Sequence, residues 1–138
     1  MAKLRHIALH THDPEATAEF YKRAFDMVEV GRTDSPLAKG VYLSDGTINL
    51  AVLRFKTAEA ADRHDGLGVT FGLHHFGFWV GEMDETRRRL EQAGAEYRQS
   101  RPEAATTSFF EEKYKGPDGV MIDISAEGWA GAKAPSEE

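Results

Sequence analysis

The chain has 138 residues, 41% hydrophobic and 29% charged, with a net charge of −6 and no cysteine. That size and balance predict one soluble globular domain with its own core. The acidic charge argues against nucleic acid or an anionic membrane as partner, and the absence of cysteine excludes disulfides, thiolate catalysis and zinc–thiolate sites. Residues 3–10, "KLRHIALH", alternate as a strand does, with His6, Ala8 and His10 on one face and Ile7 and Leu9 on the other. Asp13-Pro14 then supplies an N-cap and a proline at the first helical position. Ala16, Phe20 and Ala24, with Tyr21 and Phe25, give the stripe of a helix expected to pack on a sheet. Strands are predicted over 27–32, 39–44 and 47–55, the last two joined at the Asp45-Gly46 turn.

The stretch 57–72 is polar, glycine-bearing and aperiodic, and reads as a linker. A second copy of the pattern follows: a strand over 73–80, a helix over 84–93 stopped by Gly94, strands over 95–99 and 107–114, the turn "GPDG", and a strand over 120–125. Leu4/Leu73, His6/His75, Thr17/Thr86 and Ala24/Ala93 match at a constant offset, so the order strand–helix–strand–strand–strand occurs twice. Module 1 is expected at about 3–56 and module 2 at about 73–127, in one domain over 1–127, with 128–138 a flexible tail. No apolar run reaches the length of a membrane span and no secretory signal opens the chain, so a cytoplasmic protein is expected.

Strand parity selects a candidate site. His6 lies opposite the helix-facing Ile7 and Leu9. His75, Gly77 and Trp79 lie opposite Phe76, Phe78 and Val80; Met121, Asp123 and Ser125 lie opposite Ile122 and Ile124. Asn49, Ala51 and Leu53 lie opposite Leu50 and Val52. Burying a carboxylate among such neighbours costs several kcal/mol unless a partner compensates it. Two imidazoles, a carboxylate and an amide in one concavity could satisfy one another through a divalent ion. Taken singly, each has a plainer reading: a strand histidine is more often a satisfied or surface side chain, and an aspartate more often bonds a nearby loop. His10 shares the face of His6 but lies about 13 Å further along an extended strand, so its functional role would be substrate contact or proton relay. His12 and His64 fall in loops, His74 has the wrong parity, and Arg87–Arg89 read as the solvated side of their helix. Trp79, Met121 and Leu53 are the candidate cavity wall for substrate.

The two modules, the opening "HIALHTHDPEATAEFYKRAF" and the ending "KGPDGVMIDIS" resemble the vicinal oxygen chelate superfamily, also called glyoxalase/bleomycin-resistance/dioxygenase proteins. The resemblance spans roughly 3–127. It implies an α+β fold in which two tandem βαβββ modules form a curved, cup-like mixed sheet with helices on the outer face. It places metal ligands on His6, His75 and Asp123, the last where glutamate is usual, and the fourth ligand on Asn49, a shorter amide that cannot act as a base. The implied cofactor is a divalent metal ion (Fe, Mn, Ni, Zn or Co), the partner a small-molecule substrate, and the assembly a homodimer. Lyase or isomerase chemistry of the glyoxalase kind is expected, with Asp123 and His10 as the candidate catalytic groups. A two-histidine–one-carboxylate Fe(II) dioxygenase is an alternative, although Lys113 stands where catechol-cleaving relatives carry tyrosine. A metal-free cup that sequesters an aromatic ligand is the other.

Overall fold

The computed structural model describes residues 1–63, 66, 68–101 and 111–137. In chain order they form β1 (Lys3–His10), α1 (Pro14–Phe25), β2 (Val28–Asp34), β3 (Ala38–Ser44), β4 (Asn49–Phe55), α2 (Ala58–Ala61), β5 (Gly72–Trp79), α3 (Met83–Gln92), β6 (Glu96–Arg101), β7 (Glu111–Lys115) and β8 (Met121–Ser125). Of the strand expected over 107–114, residues 107–110 lie outside the described set, as does His64.

The eight strands make one open mixed sheet in the order β2-β3-β4-β1-β5-β8-β7-β6. Within each module the first strand pairs in parallel with the last, β1 with β4 and β5 with β8. The modules meet through β1 and β5, which run antiparallel. The expected α+β architecture is therefore present, and its seam lies along the two strands that carry His6 and His75.

Local chemistry explains the element ends. The Asp13 carboxylate accepts the Ala16 amide at 3.1 Å, and Pro14 fills the first turn of α1. Asp45 Oδ1 accepts the amides of Thr47 and Ile48, at 2.8 and 2.9 Å, around Gly46 at φ +97°. Those two amides are thus committed to the turn, and β4 begins at Asn49 instead of residue 47.

The face of α1 differs from expectation. Pro14 and Ala18 are buried, and Ala18 packs with Val41, Leu43, Leu50 and Val52 while Tyr21 lies beside them. Phe20 and Phe25 are instead 58% and 66% exposed. The helical period was right but its phase was not: a small residue at 18 lets the helix lie close to the sheet, and the bulky rings turn outward. The second core joins Val80, Tyr114 and Ile124 to Phe78, Met83, Leu90 and Ala95 beneath α3. Arg87, expected to be solvated, instead forks onto the buried Glu112 carboxylate, its Nε donating at 2.9 Å to one oxygen and 3.1 Å to the other.

Two further departures matter for function. The linker contains α2, capped by Thr57, whose hydroxyl accepts the Ala60 amide at 3.1 Å. The segment after Glu127, expected to be a loose tail, turns back over the sheet: Trp129 is 3% exposed, and Lys133 pairs through its amide with the Thr47 carbonyl at 2.9 Å.

Candidate metal centre

Register delivers the site. His6 pairs with Asn49 across β1–β4 and with Gly77 across β1–β5, and Gly77 pairs with Asp123 across β5–β8. His75 lies opposite Ala8, one step along the seam. The alternate-face rule then turns His6, His75, Asn49 and Asp123 toward the side away from the helices. All four are buried.

One ligand atom each from His6, His75 and Asp123 lie within 4.8 Å of one another. His6 Nε2 and His75 Nε2 are 3.3 Å apart; Asp123 Oδ2 is 3.1 Å from His75 Nε2 and 3.9 Å from His6 Nε2. Ligands bound at about 2.1 Å around one ion lie on the order of 3 Å from their neighbours, so this spacing suits a shared cation.

The outer hydrogen bonds decide which atoms face inward. Asn49 Nδ2 donates to the Ala130 carbonyl at 2.9 Å, which fixes the amide and leaves Oδ1 to accept the Nδ1–H of His6 at 2.8 Å. A neutral His6 therefore carries its free lone pair on Nε2. His74 donates Nε2–H to the Ala61 carbonyl at 2.7 Å, so its Nδ1 accepts the Nδ1–H of His75, also at 2.7 Å. The lone pair of His75 is likewise on Nε2. Burial pushes the pKa of His75 well below the ordinary histidine value, with the charge of Lys113 adding to it, and burial lowers His74 to about 4. Two bare imidazole nitrogens and a carboxylate oxygen thus face one another. Such a donor set fits a divalent metal ion, with further coordination positions left for substrate.

Asn49 is placed differently from expectation: it orients His6 and does not point its own lone pair into the cluster. His74, set aside on parity, belongs to the site. A bulge between the Ala8 and Leu9 pairings breaks the alternation of β5 there, so adjacent histidines both turn inward. His10 is buried, donates Nδ1–H to the Thr70 carbonyl at 2.8 Å and stacks on Phe71 with ring centroids 4.4 Å apart. It does not line the cavity that His6 and His75 share. Trp79 does not either; it donates to the Ala126 carbonyl at 3.1 Å beneath the returning C-terminal segment.

That cavity has a volume of about 430 Å³. Leu53 and Met121, both expected there, line it, with Leu37, Tyr42 and Phe55 extending an apolar wall. The lining also carries the charged side chains of Arg98, Glu111 and Lys113, with Glu59 and Asp62. Lys113 Nζ donates to both oxygens of Asp123, at 2.8 and 3.0 Å. Glu111 Oε2 accepts the indole N–H of Trp129 at 3.0 Å, and the Trp129 ring stacks on His6 at 4.7 Å with planes 5° apart. Strand alternation in "EEKYK" could have placed Glu111 and Lys113 on one face with Asp123; nothing local in the sequence points to Trp129.

Residues 3–124 match the model of the Glyoxalase/Bleomycin resistance protein/Dioxygenase superfamily. No curated protein matches. Among solved structures, a hypothetical protein, BH1468 from Bacillus halodurans C-125, is 19% identical at a TM-score of 0.71, covering 89% of this chain and 92% of that one. Methylmalonyl-CoA epimerase from Mycobacterium tuberculosis is 20% identical at 0.68, covering 88% and 85%. A Streptomyces coelicolor methylmalonyl-CoA epimerase variant in complex with 2-nitronate-propionyl-CoA is 18% identical at 0.70, covering 88% and 94%. At these identities the structural likeness speaks for the fold.

Proposed function

The chain belongs to the Glyoxalase/Bleomycin resistance protein/Dioxygenase superfamily, and on that footing we propose that it is a divalent-metal-dependent enzyme of the lyase or isomerase kind acting on a small oxygenated organic substrate. The observation that carries this reading is the inward convergence of the His6 and His75 Nε2 lone pairs on Asp123. These three residues would hold the ion. When bound, it supplies Lewis acidity that polarises substrate oxygens.

The protein residues divide the remaining work. Arg98 and Lys113 line the cavity together with Glu59, Asp62 and Glu111, and Lys113 is held on Asp123, so the polar lining carries both signs and suits an oxygenated substrate by hydrogen bonding. Leu37, Tyr42, Leu53 and Phe55 receive its apolar part and keep water from the reacting atoms. Asn49 cannot take a proton, and His10 lies off the cavity. Three carboxylates outside the ligand set line the cavity, Glu59, Asp62 and Glu111. Glu111 alone of them is buried, with Trp129 fixing one of its oxygens, so it is the one assigned to take and return a substrate C–H proton. The expected homodimer and cytoplasmic location belong to the same proposal; the exposed Phe20, Phe25 and Val28 offer an apolar face for association.

The test is solvent deuterium exchange into a panel of 2-oxoaldehydes and 2-substituted carboxylic acids, followed by NMR with Co(II)- or Ni(II)-loaded protein. Exchange that is lost in His6→Ala/His75→Ala and in Glu111→Gln supports the assignment. Oxygen consumption without exchange would make the three-ligand set a dioxygenase centre instead. Aromatic ligand binding by protein that takes up no metal would make the cup a sequestering one.

A further inference from the structure

We infer that the C-terminal segment 128–133, which lies beyond the region matched by the family model, is a built part of the metal centre, with Trp129 and the Ala130 carbonyl positioning His6 and Glu111. The inference rests on the reading that His6, His75 and Asp123 hold a divalent ion.

Three contacts from two consecutive residues reach three site side chains. The Trp129 ring lies flat on His6, its indole N–H holds Glu111, and the Ala130 carbonyl holds the Asn49 amide that in turn fixes His6 Nδ1. The plane of the His6 ring is thus set by the stack and its edge by Asn49, and both restraints come from the same segment. Freed of them, the imidazole could rotate, and a ligand that rotates no longer presents Nε2 at a fixed place.

The segment is clamped at several points. Ser125 Oγ accepts the amides of Glu127 and Gly128 at 3.2 and 3.1 Å, where the chain turns back. Ser44 Oγ donates to the Gly131 carbonyl at 2.7 Å, and Arg5 Nε donates to the Lys133 carbonyl at 2.8 Å.

Glycines occur where the segment and the sheet touch. A Cβ at Gly77 would sit 2.9 Å from the Trp129 ring. At Gly128, where φ is +74°, it would sit 2.3 Å from the Trp79 ring, and at Gly131, where φ is +76°, 2.6 Å from Ser44 Cβ. A tail resting on the surface by chance would not require side chains to be absent from both surfaces in register.

The experiment uses the full chain and Co(II) as probe. The protein has two tryptophans, so Trp79→Phe leaves Trp129 as sole emitter; saturable quenching of its fluorescence by Co(II) is expected, because the indole stacks on a ligand. Co(II) affinity is then read from the visible absorption of wild type, Trp129→Phe, Trp129→Leu and Ser44→Ala. Trp129→Leu is expected to weaken binding about 10- to 100-fold. Trp129→Phe retains a flat ring on His6 and should bind near wild type, while Ser44→Ala, which loosens the segment without touching the ligands, should fall between. Thermal unfolding of the metal-free proteins is followed in parallel, and affinity losses that merely track stability overturn the inference. So does unchanged affinity in Trp129→Leu, with the metal reading left standing. Absence of saturable Co(II) binding by wild type overturns both.

Discussion

Asp123 has no exposed surface, and both its oxygens lie within hydrogen-bond reach of the Lys113 ammonium. Replacing Lys113 by Met would strand a buried carboxylate, a change that costs about 3–5 kcal/mol in fully buried pairs and less here because Lys113 retains some contact with solvent. Urea unfolding of metal-free protein should therefore show Lys113→Met markedly destabilised, and added Co(II) should recover more stability in the variant than in wild type. Equal recovery in both would mean that the ion does not bind Asp123. His10 yields a prediction with a sign in pH. Burial lowers its pKa below the ordinary value of 6.5, with Arg54 and His12 adding to the effect against the bond to Thr70. The unfolded chain takes up this proton more readily than the native one, so the His10 contribution is fully present above about pH 6.5 and is lost as pH falls through the folded value. His10→Gln keeps an N–H for the Thr70 carbonyl and cannot titrate. Metal-free wild type should lose more stability than this variant between pH 7.5 and 5.5, and parallel curves would contradict the assignment.

Among the elements, β5 is crowded on one face, where Gly77 lies between the Trp129 ring and Asp123 across the ladder. Gly77→Ala would place a Cβ 2.9 Å from the Trp129 ring and 3.1 Å from Asp123 Cβ, against groups that are both buried. Overpacking of this kind costs about 1–3 kcal/mol. Differential scanning calorimetry should show that loss, and Trp129 emission in a Trp79→Phe background should shift to the red as the ring is displaced into water. Unshifted emission would place the strain elsewhere. What was legible at this scale followed strict periodicity: the alternation of "HIALH" gave β1 its faces, and Asp13-Pro14 gave α1 its start. What was hidden depended on tertiary context. The bulge that turns His74 inward arises from pairing with β1, which no single-strand pattern records. The outward rotation of Phe20 and Phe25 depends on how closely α1 approaches the sheet. Trp129 reaches His6 because Ser125 holds the turn, Gly128 takes a φ of +74° and Gly77 leaves room for the ring.

At the scale of the whole molecule, the seam between β1 and β5 is where the modules join, and the candidate ligands straddle it: His6 from one module, His75 and Asp123 from the other. An ion held by all three would tie the halves together, and its binding free energy would become stability of the entire domain. At free metal about 100-fold above Kd the gain is about 2.7 kcal/mol. In a chain of this size that corresponds to a rise in Tm on the order of 10 °C. In a Trp79→Phe background, circular dichroism, which follows both modules, and the fluorescence of Trp129, which follows the site, should report the same rise between chelator-treated and Co(II)-saturated protein. The His6→Ala/His75→Ala variant should show no rise by either probe. A shift seen only in Trp129 fluorescence would mean that the ion stabilises its immediate surroundings while the modules unfold separately, and the seam would then carry less of the stability than its central position in the sheet implies.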